Sequence, residues 1–138
     1  TGVVFHLGTF AAFGLLAATV AGFELPPALA PTGAIVTLAG AGAGLALLVK
    51  RVATPFLRGL SSPDDFIANL LTTSFGALAG ATLLHPQLEP AWLVTAVVLL
   101  VYLPVGKIRH CVIFFSSRAY MGAFFGYRGT FPSARQGR

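Results

Sequence analysis

Charge is what this sequence has least of. Only 9% of its 138 residues are Asp, Glu, Lys or Arg, against about a quarter in soluble domains, which excludes an ordinary solvated globular surface. Cysteine occurs once, at Cys111. That excludes an internal disulfide and a thiolate-held cluster within the chain, and no C-x-x-C-H is present to attach a haem covalently. No Asp, Glu, Lys or Arg falls within residues 3–23, 32–49, 66–84 or 91–103. Ion paths through membranes are marked by such groups in mid-helix, so a small transporter component is the least supported function class.

What is present is apolar. Hydrophobic residues make up 56% of the chain and mean hydropathy is +0.83. Four stretches are long enough to cross about 30 Å of hydrocarbon, which takes about 20 helical residues. They predict helices over residues 3–23, 32–49, 64–84 and 91–110. The connections hold the breakers: "ELPPALAP", "KRVATPFLRGLSSPDD" and "HPQLEP". Within the second, "LSSPDDF" reads as a helix start, with Ser62 as cap, Pro63 in the first turn, and Asp64 and Asp65 complementing the dipole. The expected fold is all-α, a polytopic membrane bundle of four transmembrane helices over residues 1–116. Residues 117–138 form a cytoplasmic or interfacial tail.

The few charges are unevenly placed. Lys50, Arg51 and Arg58 lie between the second and third helices, and Lys107, Arg109, Arg118, Arg128, Arg135 and Arg138 follow the core of the fourth. Together they are all nine basic residues. The other two connections hold Glu24 and Glu89 and no cation. The positive-inside rule then places both termini and the basic loop in the cytoplasm. The net charge of +5 therefore reflects topology, and no solvated fold exists to carry a nucleic-acid surface. The first helix is too long for a signal-peptide core and lacks a cleavage site.

Glycines at G-x-x-x-G spacing, Gly40 with Gly44 and Gly76 with Gly80, predict close helix packing inside the bundle. Three histidines remain. His6 opens the first helix and His110 closes the fourth, at similar depth near the cytoplasmic face, whereas His85 stands alone at the other face beside Pro86. On spacing alone two readings stand. The rings anchor helices at the headgroup level, or they ligate a haem iron from either side. In the second case Lys50, Arg51, Lys107 and Arg109 are the cations in reach of propionates or a quinone.

The motifs "FHLG", "SSPDDFIANLL" and "YLPVGKIRH", in that order, resemble the gamma subunit of respiratory nitrate reductase. They are similar also to the wider group of membrane cytochromes b of sulfite-reduction-associated and heterodisulfide-reductase-like complexes. The likeness runs from about residue 5 to residue 131. It implies that the chain corresponds to the last four of the family's five helices, in a prokaryotic cytoplasmic (inner) membrane. It implies haem b with His6 and His110 as axial ligands, a quinone, an iron–sulfur subunit on the cytoplasmic side, and further membrane or catalytic subunits. The family's second ligand pair falls at Leu16 and near Trp92, neither of which ligates iron, so one haem is expected. The alternative is a haem-free membrane anchor of a redox complex.

Overall fold

The computed structural model describes the backbone of residues 1–128, and the side chains of these except at 110–112, 127 and 128. Every regular element among them is helical: α1 (Gly2–Val20), α2 (Ala30–Ala53), the one-turn α3 (Pro55–Gly59), α4 (Pro63–Leu84), α5 (Glu89–Tyr102) and α6 (His110–Arg128). Short 3-10 turns at Pro27–Leu29, Pro86–Leu88 and Lys107–Arg109 lead into α2, α5 and α6. The first, second and fourth helices are long and apolar enough to cross a membrane. Between 17% and 28% of the residues in their most apolar windows are buried. Most of that apolar surface therefore points outward, where lipid or an apolar neighbour has to cover it. Val3, Leu7 and Phe10 on α1, Ile35 and Leu45 on α2, and Val94, Val97 and Val101 on α5 are all exposed.

Small residues draw α1 and α2 together. A Cβ added to Gly8 would stand 2.5 Å from the Cα of Gly40, and one added to Gly40 would stand 2.6 Å from the Cα of Gly8. One turn further along α2, Gly44 sits beneath the ring of Phe5 and the hydroxyl of Thr73. On α4, Gly80 receives Thr37 and Leu38 of α2. The G-x-x-x-G faces are thus spent within the bundle, as the spacing predicts. Buried Thr37 and Thr72 return their hydroxyl hydrogens to their own helices, at Gly33 O (2.9 Å) and Ala68 O (2.8 Å), so neither needs a partner across the bundle.

The core is an aromatic row. Phe13 of α1 lies 4.9 Å, centroid to centroid, from Phe75 of α4, and Phe75 stacks on Trp92 of α5 at 6.2 Å. Ala12, Leu16, Ala79, Ala96 and Leu99 close around it. Leu16 and Trp92, the two positions where the resemblance puts missing iron ligands, belong to this one packed cluster.

The fourth apolar helix is shorter than its hydropathy suggests. The expected helix over 91–110 ends at Tyr102, and residues 103–106 turn away before the 3-10 turn begins. Pro104 lacks the N–H that would continue the helical ladder, although Leu103 before it keeps α geometry at φ −53° and ψ −47°. The amides of Val105 and Gly106 both fall back on the carbonyl of Tyr102, at 3.1 and 2.8 Å. The Tyr102 ring packs directly over Gly106, in the space a side chain would need. Lys107, Arg109 and His110 consequently lie beyond a turn of the chain, in the 3-10 turn and at the start of α6, instead of on the last turn of a continuous helix. Of the segment expected as a tail, residues 117–128 belong to α6 and the remainder lies outside the described residues.

Candidate functional site at the basic end of the bundle

The antiparallel course of the helices gathers the start of α1, the end of α2, the start of α4 and the end of α5 at one end. It is the end that carries the basic residues. Its centre is Asp65, whose side chain is 11% exposed. Asp65 is the third residue of α4 and closes a capping box with Ser62. Its Oδ2 accepts the Ser62 N–H at 2.9 Å and the Ser62 hydroxyl at 3.0 Å. Its Oδ1 faces Arg51 of α2 at 3.1 Å and Lys107 of the 3-10 turn at 2.7 Å. One carboxylate thereby ties together three segments far apart in sequence. Beside it, the Tyr102 hydroxyl donates to the Asp64 carboxylate and lies 3.2 Å from the Asp64 carbonyl. Tyr102→Phe should lower stability by about 2 kcal/mol, the usual contribution of a hydrogen bond to a charged group. Thermal unfolding in detergent micelles measures it, and the α4–α5 junction should loosen first.

Between the start of α4, the turn after α5 and the first turn of α6 is an open hollow of about 700 Å³ lined by Ser62, Asp64, Val105, Gly106, Lys107, Arg109 and Ile113. Its chemistry is mixed: a carboxylate and a hydroxyl on the α4 side, cations on the turn, and Val105 and Ile113 as apolar wall.

His6 lies apart from this cluster. Its ring is exposed on α1, one face edge-on to Phe5, and Nδ1 stands 2.8 Å from the carbonyl of Gly2. A carbonyl only accepts, so Nδ1 carries a proton. On α2 the same level falls between Gly40 and Gly44, by the contacts of Gly8 and Phe5. Arg51 is about 13 Å further toward the basic end, at 1.5 Å per residue. His110 opens α6; its side chain lies outside the described residues. Lys50 is exposed at the end of α2, and Arg109 lines the hollow. His85 is exposed at the opposite end, on the cap of α4. Of the six residues expected from sequence, the structure gathers Arg51, Lys107 and Arg109 around Asp64 and Asp65.

The hub role of Asp65 and the seating of Tyr102 on Asp64 exceed what the sequence suggests. The S-x-x-D spacing of Ser62 and Asp65 signals the cap. Nothing in the local sequence indicates that the same carboxylate meets Arg51 and Lys107. No protein-family model, curated protein or solved structure matches the chain.

Proposed function

We propose that this chain is the membrane cytochrome b subunit of a multi-subunit respiratory oxidoreductase in a prokaryotic cytoplasmic membrane. In this reading four helices span the bilayer with both ends of the chain in the cytoplasm. The subunit passes electrons between the quinone pool and an iron–sulfur partner on that side through one bis-histidine haem b. The motif order from "FHLG" to "YLPVGKIRH" supports it. The observation that carries it is the seating of His6: Nδ1 donates to the Gly2 carbonyl, and the ring is exposed on α1. Haem-ligating histidines are oriented and made more basic by such a second-nitrogen hydrogen bond.

His6 would therefore suit a haem ligand, and His110 would be the second by the resemblance. Haem b, when bound, supplies one-electron transfer at a potential tuned by its ligands and burial. The chain's own work is to hold the ligand helices. The Gly8 and Gly40 contact fixes α1 against α2, and the ties of Asp65 to Arg51 and Lys107 fix where α6, with His110 as its first residue, begins. The expectation of one haem instead of two rests on Leu16 and Trp92, whose side chains fill the core between α1, α4 and α5.

Reduced-minus-oxidised absorbance of the purified subunit should show b-type bands, and a pyridine haemochrome assay should give close to one haem per chain. His6→Ala and His110→Ala should each abolish the bands, and His85→Ala should leave them unchanged. A chain without haem would instead be the membrane anchor of such a complex. Two haems per chain would sink the reading of Leu16 and Trp92.

A further inference from the structure

Helix α6 packs little on the rest of the bundle among the described residues. Among the described residues its principal contact is with the Lys107–Arg109 turn that leads into it. At 100° per residue, Ile113, Phe114, Tyr120, Met121, Phe124 and Phe125 fall on one side, an arc of about 140° that Ser117 shares and whose middle holds the positions of His110 and Arg128, the first and last residues of the helix. All six are exposed, Tyr120 to 78%. The opposite side carries Ala119, Gly122, Ala123 and Gly126, with Phe115 the one aromatic residue there. A Cβ at Gly122 or Gly126 would meet nothing within 4 Å.

We propose that α6 lies flat on the cytoplasmic surface of the bilayer, its aromatic side sunk among the headgroups and its cations held by anionic lipid. Three observations commit it to lipid. The helix starts where α5 has just left the bundle, and the leash between them is pinned to the bundle by Lys107 on Asp65 at 2.7 Å, so α6 stays at interface depth. From residue 90 to residue 138 the chain contains no Asp or Glu, while Arg109 precedes the helix and Arg118 and Arg128 lie on it. Such a segment is complementary to an anionic leaflet. Aromatic side chains on one face, with a cation at its edge, are the composition that settles at headgroup depth, and Arg118 stands at that edge. The inference rests on the membrane reading of α1, α2 and α4, and is independent of the haem.

The test uses the full chain with Cys111→Ala, reconstituted in nanodiscs of phosphatidylcholine with or without phosphatidylglycerol. Spin labels are attached singly through Met121→Cys, Phe124→Cys, Gly122→Cys, Gly126→Cys and, on α5, Val97→Cys. Collision with oxygen and with a water-soluble nickel chelate is then measured. In anionic discs, labels at 121 and 124 should be shielded from nickel relative to those at 122 and 126. Arg118→Gln or omission of phosphatidylglycerol should weaken that contrast, one arginine near an anionic surface being worth about fivefold in surface partitioning. Equal nickel access at all four α6 positions in anionic discs would overturn the proposal in favour of a surface awaiting a protein partner. Shielding of 122 and 126 with spin–spin broadening would overturn it in favour of a second copy of this chain. A contrast indifferent to lipid charge and to Arg118→Gln would overturn the assignment to anionic lipid. Nickel access at 97 would mean that the membrane reading itself has failed.

Discussion

Gly40→Val should part α1 from α2 and cost about 3 kcal/mol or more, the upper range for overpacking. The first added carbon already lies 2.6 Å from Gly8 Cα, 3.2 Å from Gly8 N and 3.3 Å from Gly8 C. All three obstacles are backbone, so no rotamer change relieves the clash and the helices must separate by about 1 Å to restore ordinary contact. That separation also lifts Phe5 from Gly44 and loosens Ala12 in the core. Helix propensity acts in the other direction, since replacing a mid-helix glycine gains at most about 1 kcal/mol; the clash therefore wins. Gly42→Val is the control. It sits on the same helix with nothing within 4 Å of its added Cβ, and it should be neutral or slightly stabilising. Unfolding of both variants in mixed micelles, followed by circular dichroism, checks the pair. Equal losses would mean that the glycine face of α2 does not set the α1 contact. In the haem reading, Gly40→Val should also reduce haem content, because His6 lies between the Gly8 and Phe5 contacts.

Asp65→Ala should be comparably damaging, at about 3 kcal/mol. Removing one partner of a buried ion pair costs about 3–5 kcal/mol. Here Lys107 is 57% and Arg51 34% exposed, so solvent screens the two cations left behind and the charge contribution falls to about 2 kcal/mol. Loss of the capping interaction with Ser62 adds about 1 kcal/mol. Asp65→Asn should retain much of the cap and lose chiefly the charge contribution, which separates the two effects. The damage should be local as well as global. With Lys107 released, the 103–109 turn comes off the start of α4, and tryptic cleavage after Lys107 and Arg109 should accelerate in the folded protein. Unchanged cleavage in Asp65→Ala would show that the turn is held by Tyr102 and Gly106 alone.

These two sites differ in how far they can be read from the sequence. Gly40 and Gly44 announce close packing by their spacing, yet the spacing does not say that Gly8 of α1 is what Gly40 meets. Asp65 announces a helix start through "SSPDD", since a cap involves neighbours three residues apart. Its ties to Arg51 and Lys107 join positions 14 and 42 residues away in sequence, and only the antiparallel course of α2, α4 and α5 makes them neighbours. The end of α5 is an intermediate case. Hydropathy runs on through "YLPVG" and so extends the expected helix to residue 110, although Pro104 carries the signal to stop. A sliding average of apolarity does not register one missing N–H.

By itself the sequence determined the helical class, the apolar spans, their breaks at proline and the basic end of the bundle, because hydropathy, capping and charge are properties of short windows that add along the chain. Tertiary structure alone decided that Phe13, Phe75 and Trp92 form one row, that Asp65 gathers Arg51 and Lys107, and that α6 follows the Lys107–Arg109 turn with its aromatic side chains exposed. Those outcomes depend on which faces of distant helices meet, and that is set by how closely small residues let the backbones approach.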